Sequence, residues 1–169
     1  NMYDSSVKVP FIAMWKNHTV QNAVCRELFS HYDVLPTLCE LTGTKCETKQ
    51  VLPGRSFALW LKNPALEQNA PVVVFDEYGP VRMIRNHEIK LVLRYPYGPN
   101  ELYDLVKDPE EERNLYGDSA YEDMVLSMTK EMDAWFEAYS DKMFDARCAA
   151  VTGTGQHARP GRYGSLNGR

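Results

Sequence analysis

Residues 72–116 read VVVFDEYGPVRMIRNHEIKLVLRYPYGPNELYDLVKDPEEERNLY, and this stretch decides the fold. Its first run, 72–78, is rich in β-branched and aromatic residues. A second run, 81–85, follows Gly79-Pro80, and a third, 89–95, follows Asn86-His87. A fourth, 101–106, comes after Tyr97-Gly98-Pro99-Asn100. Strand-like runs punctuated by short Gly, Pro and Asn turns predict a four-stranded antiparallel meander. The acidic segment 108–114 then reads as a solvated loop.

Downstream, Tyr121, Met124, Val125, Met128, Met132, Trp135, Phe136 and Tyr139 recur at steps of three and four. That spacing predicts an amphipathic helix of about 20 residues whose apolar face packs on the meander. Ser119 and Glu122 fit a capping box at its start. Beyond residue 142 the pattern fades into a tail rich in Gly, Arg and Thr, which cannot build a core alone.

Upstream, 2–8 suggests a helical turn broken at Val9-Pro10. The apolar run 11–15 (FIAMW) predicts a strand buried on both faces, the kind found in parallel sheets. Residues 16–19 form a polar turn, and 22–29 suggests a second short strand. Asp33 is a good N-cap for a helix at 34–42, with Pro36 at the tolerated third position and Gly43 as the C′ residue. Leu35, Leu38, Cys39 and Leu41 give that helix an apolar face. A short element begins at Gly54-Arg55-Ser56 and ends at Asn63-Pro64.

The chain has 169 residues, 44% hydrophobic and 25% charged, with a net charge of −4. That balance suits a globular chain with a real core. No basic stripe points to nucleic acid, and no apolar run has the length of a membrane span. Residues 1–10 show no secretory signal pattern. Cys25, Cys39, Cys46 and Cys148 match no zinc spacing and contain no C-x-x-C, so they are read as buried or free thiols in preference to a disulfide pair. Asn17-His18-Thr19 is a glycosylation sequon by pattern.

The chemistry-bearing residues are sparse. No phosphate loop, GxGxxG, HExxH or GxSxG occurs. His18, His31, His87 and His157 have no helical-spacing partner and are read as surface or capping residues. Asp76 and Glu77, adjacent in a strand run, would point to opposite faces and cannot form an acid–base pair. Arg82, Arg85, His87 and Lys90 form a cationic group suited to an anionic ligand. Internal pairing with Asp76, Glu77 and Glu88 is the plainer expectation for them.

Five ordered segments resemble the C-terminal part of a sulfatase. They are Met2-Tyr3-Asp4-x-x-Val7-Lys8-Val9-Pro10-Phe11-Ile12, Ser30-His31-x-Asp33-x-x-Pro36-Thr37-Leu38-x-x-Leu41-x-Gly43, and Gly54-Arg55-Ser56. The fourth comprises Val74-Phe75-x-Glu77-Tyr78, Arg82-Met83-Ile84-Arg85 and Lys90-Leu91. The last is Glu101-Leu102-Tyr103-Asp104-Leu105-x-x-Asp108-Pro109-x-Glu111-x-x-Asn114-Leu115.

The resemblance implies an α+β chain: a four-stranded antiparallel sheet packed by a long C-terminal helix, preceded by a strand and helix left over from an α/β sulfatase core. The expected division is 1–70 for the tail end of that core, 71–142 for the sheet-and-helix subdomain, and 143–169 for an irregular tail. The implied activity is sulfate ester hydrolysis in the intact enzyme, with formylglycine and a divalent metal, expected to be calcium. Neither is carried by this chain. The family's nucleophile motif, C/S-x-P/A-S-R, is matched by none of the four cysteines, so the chain alone is expected to be inactive. No catalytic or metal-binding residue carries over, and Arg82, Arg85, His87 and Lys90 are the expected substrate contacts.

The expected partners are a missing N-terminal core and a sulfated small molecule or glycan, with no nucleic acid and no membrane. A dimer could form through exposed apolar surface. The alternatives are a fragment of a phosphonate or phosphate-ester hydrolase of the same superfamily, and a non-catalytic module that binds an anion or a partner.

Overall fold

The computed structural model describes residues 1–48, 51–76, 80–95, 97–141 and 145. The chain divides into two compact units, one of Asn1 and Tyr3–Val72, the other of Met2 and Val73–Arg169.

The first unit is mostly irregular chain around three short helices: α1 (Asp4–Val7), α2 (Val34–Thr42) and α3 (Ala58–Lys62). The strands expected at 11–15 and 22–29 do not form; both stretches lack regular structure. A strand exists only through a ladder of partners, and apolar composition supplies none. Phe11, Ile12 and Met14 are accordingly 62%, 92% and 89% exposed. The polar turn at 16–19 does form: Thr19 Oγ1 accepts from Trp15 N at 3.0 Å, and the His18 ring stacks on Trp15.

Helix α2 spans the expected residues, and Gly43 closes it with φ of 68°. Its buried residue is Thr37, whereas Leu35 and Leu38 are about half exposed. Asp33 also departs from expectation, because its carboxylate does not cap α2. One oxygen accepts from Ser30 N at 2.7 Å, the other from Arg55 N at 2.7 Å. Thr37 Oγ1 donates to Asp33 O at 2.7 Å and accepts from Phe57 N at 2.9 Å. Two buried polar side chains thereby stitch residues 55–57 onto α2. Gly54 is required at that seam: a Cβ there would lie 1.9 Å from Tyr32 O. Phe57 packs against Phe11 and Phe29, with ring centroids 5.5 Å and 4.8 Å apart.

Cys39 and Cys46 form a disulfide, correcting the expectation of thiols. Cys39 lies in α2, and the left-handed turn at Gly43 folds the chain back. The two Cα atoms end 5.8 Å apart, within the range that a disulfide spans. Spacing along the chain does not reveal such a return. Cys25 is not in a disulfide, and Cys148 lies outside the described residues.

The second unit carries the expected meander. Strands β1 (Val72–Phe75), β2 (Val81–Arg85), β3 (Ile89–Arg94) and β4 (Glu101–Asp104) lie in the order β1-β2-β3-β4. Antiparallel register sets Ile84 opposite Leu91 and Leu91 opposite Leu102. Helix α4 (Glu122–Tyr139) buries Met128, Met132 and Phe136, each four residues from the last, so one stripe faces inward. These join Val73, Ile84, Ile89, Leu91, Leu93, Leu102 and Leu115 in one core. Burial of each large side chain contributes about 2 kcal/mol.

The helix start differs from the predicted capping box. A 3-10 turn, Ser119–Tyr121, precedes α4, and Asp118 supplies the cap by accepting from Ala120 N. The tail is outside the described residues except Asp145.

Candidate functional site

The ladder decides where the four expected substrate contacts lie. Arg85 stands opposite Lys90, so these two share a sheet face. Arg82, three positions from Arg85, stands opposite Leu93 on the other face, the side of α4. His87 is exposed in the β2–β3 turn. Asn86 Oδ1 fixes that turn by accepting from Glu88 N and Ile89 N, both at 2.8 Å. The structure therefore splits the group between two faces and a turn.

Arg82 and Lys90 each have a carboxylate of the chain beside them. Arg82, 1% exposed, pairs with Asp145. Its guanidinium carbon lies 3.7 Å from the Phe136 ring centroid and 5.5 Å from that of Tyr95, a cation–π placement. Lys90, fully buried, pairs with Glu111 and donates to Met2 O at 3.1 Å. Arg85 Nε donates to Asn86 O at 3.0 Å. The partners predicted for these cations were Asp76, Glu77 and Glu88. The Arg82 charge does act on Asp76, lowering its titration, and carboxylates 63 and 21 residues further along stand beside Arg82 and Lys90.

Glu111 also corrects the solvated reading of 108–114. It is 6% exposed and sits at φ of 59°, a left-handed conformation that costs a non-glycine residue energy. Asp108 holds the turn around it, accepting from Glu112 N at 3.0 Å and Arg113 N at 2.9 Å. The signal for both was present in the Asp108-Pro109-x-Glu111 segment, where one acid organises the turn and the other faces inward.

Two other carboxylates have displaced titrations. The Lys107 ammonium, with the Lys107 and Val106 amides, holds the Asp104 carboxyl below its ordinary value of 3.8. Asp104 in turn raises Lys107 above 10.5. Burial pushes Asp76 above 3.8, against the lowering effect of its bond from Val81 N at 2.9 Å. Glu77 lies outside the described residues.

Among the described residues, no three or more His, Cys, Asp or Glu side chains converge as metal ligands. These residues do not fit the divalent metal that the sulfatase resemblance implies. No helix among them is long and apolar enough to cross a membrane. Arg82 and Lys90 neutralise buried carboxylates, and Asn86 and Asp108 fix the neighbouring turns.

Comparison with known proteins agrees with this scaffold. An ulvan-active sulfatase of Formosa agariphila is 28% identical over 174 residues, covering 82% of this chain and 34% of that protein. A Delta 4,5-hexuronate-2-O-sulfatase of Bacteroides thetaiotaomicron is 29% identical over 177 residues, covering 95% of this chain and 36% of that one. The crystal structure of a putative sulfatase from Bacteroides thetaiotaomicron superposes with a TM-score of 0.53 at 29% identity, over 77% of this chain and 31% of that chain. The chain spans about a third of the length of the relatives it matches. Residues 1–138 match the family described as N-sulphoglucosamine sulphohydrolase, C-terminal, and the chain belongs to that family as a C-terminal sulfatase region.

Proposed function

We propose that the chain serves a sulfate ester hydrolase whose reaction centre is built by residues outside these 169. The single observation that carries this reading is the family match over residues 1–138 in a chain that covers about a third of its relatives. The substrate class is a sulfated glycan, supported by relatives named for ulvan and for a hexuronate 2-O-sulfate. The formylglycine and metal that the family resemblance implies belong to the rest of that enzyme. The partner of this chain is the N-terminal core, for which the exposed apolar stretch at 11–14 is a fitting attachment.

Within this reading, substrate contact from the subdomain falls to His87. Its exposure in the β2–β3 turn supports that choice, whereas Arg82, Arg85 and Lys90 are buried. Sulfate release from sulfated oligosaccharides tests the proposal. The full-length protein should release sulfate and the isolated chain should not. In the full-length protein, His87→Ala should raise KM severalfold with kcat little changed. Turnover of phosphonate esters in place of sulfate esters would overturn the assignment, as would sulfate release by the isolated chain.

A further inference from the structure

We propose that Cys39–Cys46 is a structural cross-link, formed because this chain folds in an oxidising compartment, and that it secures the return of the chain after α2. This goes beyond the sulfatase reading and does not depend on it.

The first unit needs such a device. Among its described residues the buried apolar side chains are Phe57, Ala58 and Val72, with Asp33 and Thr37 as buried polar ones. Small hydrophobic cores are commonly supplemented by disulfides. The backbone also prepares the pair. Gly43 adopts φ of 68°, Thr44 N donates to Cys39 O at 2.9 Å, and Gly43 N donates to Glu40 O at 3.2 Å. These bonds close α2 and send 44–48 back along it, with Cys46 Sγ 3.9 Å from Leu35 O.

A reactive dithiol is the rival reading, and the placement disfavours it. The cysteines are separated by seven positions, not the three of C-x-x-C. Cys39 lies in the C-terminal part of α2, at the negative end of its dipole. Reactive cysteines favour the opposite end. Metal ligation is disfavoured as well, because no third donor converges among the described residues.

The compartment follows from exposure. Cys46 is exposed and Cys39 only partly covered, so thiol reductants reach the bond. Such a pair persists where those reductants are scarce. In forming it, the two thiols give up two protons and two electrons. A disulfide-bearing oxidant accepts them and leaves as two thiols.

The test uses full-length protein recovered from its native compartment, alkylated without reductant and mapped by mass spectrometry. The expected result is one peptide pair joined through Cys39 and Cys46, lighter by two hydrogen atoms than the reduced pair, with Cys25 alkylated. Reduction should lower Tm by about 5 °C and open the Lys45–Cys46 bond to trypsin. In the Cys39→Ser/Cys46→Ser variant that fall should already be present, and reductant should no longer change cleavage at Lys45. Alkylation of both cysteines without reductant would overturn the proposal. So would linkage of either to Cys25 or Cys148, or a wild-type Tm and cleavage pattern indifferent to reduction. The wild-type measurements stand even if the double variant fails to fold.

Discussion

The two units solve the same problem by different means. The second buries a continuous apolar core between a sheet and one amphipathic helix, and holds a buried ion pair on each face of the sheet. The first buries few apolar side chains and relies on point attachments: two polar stitches, a glycine contact and a disulfide. A distributed core tolerates the loss of one contact, because many dispersion contacts remain. Point attachments do not share load in that way. The contrast teaches where each unit is vulnerable: the second at its buried charges, the first at its seams.

The largest expected effect is therefore at Lys90. Lys90→Met takes the ammonium away from the buried Glu111 carboxylate, and urea unfolding should show a loss of about 3–5 kcal/mol. Adding Glu111→Gln should recover much of it, since the buried negative charge is then gone. A loss below about 1 kcal/mol for the single variant would mean that the pair behaves as a solvent-screened one. The second unit would then not be vulnerable at its buried charges.

Next comes the seam of the first unit. Gly54→Ala places a methyl group against the Tyr32 carbonyl, a backbone atom that cannot swing away. The expected cost is about 3 kcal/mol. Hydrogen exchange should speed up at the Arg55 and Phe57 amides, whose acceptors are Asp33 and Thr37. Unchanged protection there would show that residues 54–57 are held by something other than the stitches.

The smallest effect is electrostatic. Asp104 titrates below its ordinary 3.8 in the folded chain, so its contribution is fully present above that value and is lost as pH falls through the lower one. Lys107 is the mirror case: its contribution is present below 10.5 and is lost as pH rises through the raised value. Urea midpoints of wild type and Asp104→Asn should differ slightly at neutral pH and converge only in acid below 3.8. A gap that persisted there would place the effect in the turn's backbone bonds, not in the ion pair.

How much of this was legible in the sequence depended on the distance each signal had to travel. The meander and α4 could be read because β-branched runs, turn residues and a three-four repeat are local, and each agrees with the packing that results. Helix α2 was bounded at both ends by its own cap residues. The stretch at 11–15 failed as a strand because pairing is not a property of one segment. Asp33 looked like a cap because its acceptance from Arg55 N lies 22 residues away. The cationic group looked like one site because its members are close in sequence, whereas alternation sends Arg82 and Lys90 to opposite faces. Their carboxylates, Asp145 and Glu111, lay beyond any local window. The family resemblance was read from five ordered segments, and none of them carries the chemistry it implies.

The placement of the two buried cations has one more consequence, for strand register. Arg82 and Lys90 sit on paired strands but on opposite faces, each beside its own acid. Sliding either strand by one residue would turn its cation away from that acid and onto the opposite face of the sheet. The apolar run of β3, Leu91-Val92-Leu93, has little power to forbid such a slip, since either face accepts leucine or valine. Charge does have that power, because a misplaced ion is penalised by several kcal/mol. The ion pairs thus act as alignment keys, and the sheet can be greasy on both sides without losing its frame.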